Sequence, residues 1–177
     1  CADAEPGGMV AILGLDRDRV EEVCGTSREN DVLSVANVLC PGNIVVSGSR
    51  AACERVAEEA MKAGAMKCIP LEVAGAFHTQ LMEPARDKLA TILEEIDLRV
   101  PRIPVISNVD AKPHSDPAEI RGLLARQVCG VVEWHDSMEF LLSTGVGSLW
   151  EVGPGRVLRG LLKRINRKMP CKGVIER

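Results

Sequence analysis

Four short apolar runs, separated by polar and amphipathic stretches, mark the first part of the chain. They cover 9–15, 33–38, 43–48 and 67–73. Each run has the length and the Val, Ile and Leu content of a β-strand. Asp16 and Ser49 follow the first and third runs and can cap helices, because their side-chain oxygens accept from free backbone N–H groups. The resulting order, β-α-β-β-α-β, predicts a ferredoxin-like small subdomain over 7–74.

The remaining residues alternate between helical and strand-like patterns. Predicted helices cover 84–96, 117–127, 133–142 and 156–168. Predicted strands cover 102–107, expected to be buried, and 147–152. Strands that alternate with helices indicate α/β layers, so we predict a second α/β subdomain over 75–177. The chain opens with CADAEPGG and no initiator Met, and we interpret 1–6 as the end of an upstream segment.

Composition narrows the class of function. The net charge of −3, the 2% aromatic content and the lack of Tyr argue against a nucleic-acid binding surface. No apolar run reaches the roughly 20 residues that span a bilayer, and no signal peptide opens the chain. The seven cysteines are irregularly spaced and include no CxxC pair, which favours reduced thiols over disulfides or a zinc site. We therefore expect a cytoplasmic protein with no metal, membrane or nucleic-acid partner.

His78 is the first candidate for chemistry. It ends the apolar run at the junction of the two predicted subdomains, in the stretch GAFHTQLMEP. A histidine exchanges protons near neutral pH and serves as a general acid or base. The alternative is a partly buried histidine bonded to a backbone carbonyl. The residues alone leave both readings open, since the chain contains no GxSxG elbow and no zinc-ligand pattern that includes His78.

Other polar groups have weaker signals, each with a structural alternative. The Gly-rich stretch 153–160 opens a helix and could favour an anion, or it could be a strand-to-helix turn. Asn37 and Asn43 could face a crevice or belong to turns. Gln127 could donate to a neighbouring ring or backbone group. The last predicted helix carries cations that form either a solvated face or a dock for an acidic partner. They are Arg156, Arg159, Lys163, Arg164, Arg167 and Lys168.

Several motifs occur together in a recognisable order. They read EPGGMVAILGLD, AN…PGNIVVSG, GAFHTQLMEPA, IPVISNVDA, LLARQ…VEW and EVGPGRVLRGLLKRI. Their order and spacing, over nearly the whole chain, resemble the malonyl-CoA:acyl carrier protein transacylases of fatty acid synthesis. The resemblance implies an α/β-hydrolase-like large domain with an inserted ferredoxin-like small domain. The region 75–177 would then be the C-terminal part of that large domain.

The resemblance also implies roles for individual residues. His78 would be the histidine of a serine–histidine pair that moves malonyl from malonyl-CoA to the phosphopantetheine thiol of acyl carrier protein, without metal or other cofactor. Main-chain carbonyls would orient its ring, one of them at Gln127. Phe77, Asn37 and Asn43 would contact substrate. A Phe before the histidine goes with malonyl in related domains and Ser with methylmalonyl, because a ring crowds an α-methyl group.

The resemblance has departures that bear on activity. The family's serine elbow, oxyanion-hole glutamine and carboxylate-binding arginine are expected upstream of this chain, so we predict that the chain alone is inactive. Leu39, Asn43 and Cys129-Gly130 replace residues that are more usual in the family. Carrier proteins are acidic, so Arg159, Lys163 and Arg164 are candidates for carrier docking. The rival hypothesis is a non-catalytic ferredoxin-like binding module or an inactive fragment.

Overall fold

The first half of the chain folds as one antiparallel sheet with two helices on one face. In the computed structural model, residues 7–174 are described. The elements are β1 (Gly7–Leu13), α1 (Arg17–Arg28), β2 (Leu33–Cys40), β3 (Asn43–Ser49), α2 (Arg50–Lys62) and β4 (Lys67–Pro70). The predicted order β-α-β-β-α-β is thus observed. The interpretation of residues 1–6 as the end of an upstream segment lies outside the described residues.

Both predicted helix caps are present. The Asp16 side chain accepts from Arg19 N at 2.9 Å, and the Ser49 hydroxyl accepts from Ala52 N at 3.2 Å. Pro41-Gly42 closes the β2–β3 hairpin, where Gly42 has a φ of 66° that favours glycine. The predicted strand 67–73 ends early, at Pro70. Proline has no N–H to donate, and the last bond to β1 comes one residue later, from Leu71 N to Met9 O at 2.9 Å.

The second half is built mainly of helices with short strands between them. A 3₁₀ turn (Gln80–Met82) leads into α3 (Glu83–Glu94). The elements that follow are β5 (Val105–Ile106), β6 (Pro113–His114), α4 (Pro117–Gln127), β7 (Val132–Glu133), α5 (Trp134–Ser143), β8 (Leu149–Glu151), α6 (Val157–Ile165) and β9 (Cys171–Gly173). The strands form no common layer: β5 pairs with β6 antiparallel, and β8 pairs with β9 parallel.

The main sheet has five strands in the order β4-β1-β3-β2-β7. Its fifth strand comes from the second half of the chain, since β7 pairs in parallel with β2 through Asn37–Val132 and Val38–Glu133. The two halves are therefore joined by backbone pairing. This join directly follows the turn 128–131 at the end of α4.

The main core lies between this sheet and helices α1 and α2. Its fully buried side chains include Ile12, Val20, Leu33, Val46 and Val56. The alternation of strands accounts for this, because every second residue faces the helices. A smaller cluster covers the opposite face of the sheet, and it comprises Met9, Ala11, Ala36 and Val45 with Leu39 and Ile69 packed against them.

The second half buries fewer apolar side chains. The run 102–107 was expected to be a buried strand, and this prediction is wrong: only Val105–Ile106 is a strand, Ile103 is 75% exposed and Val105 is 44% exposed. Other exposed apolar residues in this half include Ile92, Val100, Leu124, Trp150, Val152 and Val157. This half therefore leaves many apolar side chains exposed.

Candidate active site

His78 lies on the loop between β4 and the 3₁₀ turn. Its φ of 63° is in the left-handed region, which costs a residue with a side chain on the order of 1–3 kcal/mol. Thr79 holds the loop on one side: its buried hydroxyl donates to Ala76 O at 2.7 Å and accepts from Leu81 N at 3.3 Å. On the other side Ala76 packs against β1, so closely that a Cβ on Gly7 would lie 2.6 Å from it. The contacts of Thr79 and Ala76 thus hold His78 in its unfavourable backbone conformation.

Two carbonyl groups at the end of α4 hold His78 itself. The backbone N–H of His78 donates to Val128 O at 3.2 Å, and its ring Nδ1 lies 2.9 Å from Gln127 O. A carbonyl oxygen can only accept, so Nδ1 carries the proton. In the neutral ring the lone pair is then on Nε2. No group within residues 7–174 hydrogen-bonds to Nε2, so it is placed to take a proton from another molecule or segment.

The end of α4 explains why these two carbonyls are available. The last carbonyls of a helix have no partner within the helix. The N–H groups of the following turn bond further back: Val128 N donates to Ala125 O at 3.3 Å, and Cys129 N and Gly130 N donate to Arg126 O at 3.1 and 2.8 Å. The carbonyls of Gln127 and Val128 are left over and both accept from His78.

No hydroxyl or thiol among residues 7–174 hydrogen-bonds to Nε2 of His78, so the described part of the chain pairs no nucleophile with this ring. Cys129 lies one residue after Val128, but burial raises the pKa of its thiol, so it stays protonated near neutral pH. Burial also raises the pKa of Cys24 to about 12 and that of Cys53 to about 11. The six cysteines among the described residues are free thiols. Cys24, Cys53 and Cys129 are therefore unlike the low-pKa thiolate of a cysteine nucleophile.

The other predicted contact residues are spread over the sheet and the loop. Phe77 directly precedes His78, and the residue is 36% exposed. Asn37 is the β2 residue at which β7 joins the sheet. Asn43 begins β3 opposite Cys40, and its Oδ1 is buried without a hydrogen-bond partner among residues 7–174. Neither asparagine hydrogen-bonds to His78, and their substrate contacts stay predictions.

The three cations proposed for docking differ in their surroundings. Arg159 is mostly buried, and its Nε donates to Glu151 Oε2 at 3.0 Å. Glu151 also accepts from Leu158 N at 2.8 Å, so it caps α6. Lys163 and Arg164 are exposed in the last turn of α6, and Arg164 reaches Pro41 O at 3.3 Å. The first cation has a structural task, while the other two face solvent.

Two polar arrangements were missed at the sequence level. Arg17 of α1 donates from Nη1 and Nη2 to the two carboxylate oxygens of Glu133, at 3.0 and 3.1 Å, which ties helix α1 to strand β7. His114 is buried, with Nε2 3.1 Å from both oxygens of Asp110 and Nδ1 3.0 Å from Glu119 Oε1. No local motif signals the first pair, whose members are 116 residues apart.

The chain between residues 7 and 174 has neither a cluster of candidate metal ligands nor a helix able to span a membrane. No group of three or more His, Cys, Asp or Glu side chains is arranged to hold a metal ion there. None of its helices combines the length and the apolar character that a membrane span requires.

Comparison with known proteins identifies the relatives of this chain. The malonyl CoA-acyl carrier protein transacylase of Salmonella typhimurium strain LT2 is 45% identical over 159 residues, which are 90% of this chain and 52% of that protein. The enzyme of the same name from Bacillus subtilis strain 168 is 40% identical over 167 residues, 94% of this chain and 53% of that protein. The chain is a homologue of these transacylases. The resemblance seen in its motifs is thereby confirmed.

Solved transacylase structures have the same fold. An acyl carrier protein S-malonyltransferase from Vibrio cholerae superimposes with a TM-score of 0.93 at 38% identity, covering 97% of this chain and 56% of that one. A malonyl-transacylase in complex with a type II PKS acyl-carrier protein gives a TM-score of 0.93 at 39% identity, with the same coverage. The chain thus spans about half the length of the transacylases it matches. No family model matches the chain.

Proposed function

We propose that this chain is the histidine-bearing part of an S-malonyltransferase that acts on malonyl-CoA and acyl carrier protein. The observation that carries the proposal is the backbone conformation of His78 together with the hydrogen bonding of its ring. Its backbone is held at a φ of 63°, its Nδ1 is bonded to Gln127 O, and its Nε2 is unbonded within the described range. A general base needs this arrangement: one ring nitrogen fixed, the other presented to a hydroxyl.

The proposed reaction has two acyl transfers, both served by Nε2 of His78. A serine hydroxyl gives its proton to Nε2 while its oxygen bonds to the malonyl carbonyl carbon, and the departing CoA sulfur takes the proton from Nε2. The carrier's pantetheine thiol then gives its proton to Nε2 and attacks the acyl-serine ester. The serine oxygen leaves and recovers the proton. The Gln127 carbonyl stabilises the imidazolium that forms in each half-reaction.

We propose that the nucleophilic serine belongs to a part of the transacylase outside this chain. Two observations support this. The chain matches only 52% of the length of the Salmonella enzyme, and no hydroxyl or thiol among residues 7–174 hydrogen-bonds to Nε2 of His78. We infer that 75–177 is the C-terminal part of an α/β-hydrolase-like large subdomain. The many exposed apolar side chains of this half, Ile103, Val105 and Trp150 among them, support this, because the rest of such a subdomain would cover them. We also propose 7–74 as a ferredoxin-like subdomain.

The remaining assignments follow from the same proposal. Phe77 shapes the substrate site beside His78, and Asn37 and Asn43 contact substrate. The carrier protein docks on the basic end of α6, chiefly on Lys163 and Arg164, with Arg159 held behind them by Glu151. We propose that the enzyme works in the cytoplasm. It needs no metal or bound cofactor, since the phosphopantetheine arrives on the carrier.

Malonyl transfer by two proteins tests this function. The purified 177-residue chain and the complete protein that contains it are each given malonyl-CoA and acyl carrier protein. We expect covalent malonyl labelling of the complete protein, followed by loss of the label to the carrier, and no turnover by the chain alone. Turnover by the chain alone would show that the nucleophile lies within it. If the complete protein took up no malonyl group, the rival hypothesis of a non-catalytic binding module would stand.

A further inference from the structure

We propose that the side-chain amide of Gln127 is a positioning group, separate from the carbonyl of the same residue. By fastening the turn at 128–131, it keeps the carbonyls of Gln127 and Val128 directed at His78. The catalytic meaning of this role depends on the proposed function of His78. The geometric role does not, because it concerns only groups within this chain.

The amide of Gln127 makes two hydrogen bonds to the turn that follows its helix. Its Nε2 donates to Gly130 O at 3.1 Å and to Val131 O at 3.3 Å. A side-chain amide has two N–H donors, so one Gln127 side chain can serve both carbonyls. The glutamine thereby closes a loop of five residues on itself, between the end of α4 and the start of β7.

Backbone bonds alone do not close this loop. The N–H groups of Cys129 and Gly130 both donate to Arg126 O, and this pins the first half of the turn. The carbonyls of Gly130 and Val131 would lose their Gln127 donors if the amide were removed. Carbonyls in a half-buried segment then need a new partner such as water, and a rearrangement of the turn would supply it. Val128 O and Gln127 O would move with that rearrangement.

The residue type matters because the two tasks of Gln127 differ. Any residue supplies a backbone carbonyl, so the bond to His78 Nδ1 does not require glutamine. Only an amide or a cation can donate twice to carbonyls. Asparagine has the same donors, but its side chain is one methylene shorter and would have to shift to reach Gly130 O. The two side-chain hydrogen bonds thus explain why this residue is a glutamine, whereas the carbonyl bond to His78 does not.

The consequence for His78 is a change of tautomer. With the Gln127 carbonyl in place, the neutral ring carries its proton on Nδ1 and presents the lone pair on Nε2. When the carbonyl moves away, the proton is free to sit on Nε2, and the ring then has no lone pair there for a hydroxyl proton. The side-chain amide therefore acts on the reacting nitrogen through the turn and the carbonyl.

Ring-nitrogen NMR of the 177-residue chain tests the proposal, and the chain has only three histidines to assign. The Gln127→Met variant keeps length and charge but has no donors. We expect its ratio of Nδ1–H to Nε2–H tautomer at His78 to fall about fivefold, the size of one ordinary hydrogen bond. The matched control is Gln80→Met, at the chain's other glutamine, which is exposed two residues from His78. It should leave the ratio unchanged. An unchanged ratio in Gln127→Met would overturn the proposal.

A measurement on the unsubstituted chain covers the case in which Gln127→Met does not fold. The side-chain NH₂ of Gln127 should exchange with water at least about tenfold more slowly than that of Gln80, because it is held in two hydrogen bonds. Equal exchange rates would show that the tie is absent and would sink the proposal. Neither readout uses malonyl transfer, so failure here is distinct from failure of the proposed function.

Discussion

The Nδ1 atom of His78 lies 2.9 Å from the carbonyl oxygen of Gln127, 49 residues further along the chain. This one contact joins the loop after β4 to the end of α4. The backbone of His78 is bonded to the neighbouring carbonyl of Val128, so ring and main chain are held by consecutive residues. The group that orients the ring is thus a peptide carbonyl, whereas a carboxylate orients the histidine of a Ser-His-Asp triad.

The His114 cluster makes stability depend on pH. The hydrogen bond to Asp110, and then the one to Glu119, raises the pKa of His114. This stabilisation is therefore fully present below the unfolded-state value of about 6.5 and is lost as pH rises through the folded-state value. Burial alone would raise the pKa of Asp110, but the bonds from His114 and from the backbone of Lys112 outweigh it and lower that pKa. The stabilisation contributed by Asp110 is therefore present above the unfolded-state value of about 3.9 and is lost as pH falls through the lower folded-state pKa.

Replacing His114 tests this window. We expect His114→Gln to lower the free energy of unfolding by about 2 kcal/mol near pH 5.5, because charge-assisted hydrogen bonds to two carboxylates are lost. The difference from the unsubstituted chain should shrink as pH rises to about 9, where an ordinary imidazole is neutral. Urea denaturation at several pH values measures it. His135→Gln is the matched control. A difference that is the same at every pH would contradict the assignment.

Phe77 is predicted to select against substrates with an α-methyl group. In the complete transacylase, Phe77→Ser should raise kcat/KM for methylmalonyl-CoA relative to malonyl-CoA about tenfold or more, since one methyl group in a pocket accounts for roughly 10–200-fold discrimination. Competition between the two substrates gives this ratio directly. Phe77→Leu keeps most of the bulk and serves as the control. An unchanged ratio in the serine variant would remove Phe77 from the substrate site.

The basic end of α6 is predicted to attract the acidic carrier protein. Charge reversal with Lys163→Glu and Arg164→Glu should raise KM for the carrier about tenfold at low salt and leave malonyl uptake from malonyl-CoA unchanged. Arg159 is left intact in this design, because its reversal would place a carboxylate against Glu151 and disrupt the cap of α6. Lys67→Glu, on the exposed strand β4, controls for net charge. No rise in KM at low salt would rule out this docking surface.

Local signals in the sequence predicted much of the fold. Asp16 and Ser49 cap α1 and α2 as expected, and Pro41-Gly42 forms the hairpin turn. The helix predicted over 117–127 has those bounds in the structure. Each of these elements is determined by side chains within a few residues of one another, so a pattern along the chain can reveal it.

Elements that depend on distant partners were not predicted. Strands β6, β7 and β9 have only two or three residues each, and β7 is a strand only because β2 lies beside it. The predicted strand over 102–107 was too long, since only Val105 and Ile106 find a partner in β6. Apolar sequence predicted burial there, but burial depends on what covers the face.

The candidate site shows the same division. His78 and Gln127 were both named from the sequence. His78 stood out by its place after an apolar run. Gln127 was named first as a possible donor to a ring or backbone group, and its carbonyl then through the family resemblance. The bond to Val128 O was not foreseen, because every residue has a carbonyl and the sequence does not say which one is left unpaired. The pairing of Arg17 with Glu133 gave no signal either, as two ordinary charges far apart in the chain.

The central claim is that Nε2 of His78 moves the proton in malonyl transfer, and His78→Asn in the complete transacylase tests it most directly. Single-turnover labelling by malonyl-CoA should slow at least about 100-fold, the lower range of what general-base catalysis contributes. His135→Asn, the same substitution on α5, should label at the unsubstituted rate. If His78→Asn labelled within about threefold of the unsubstituted rate, far less than a general base supplies, the account would be contradicted.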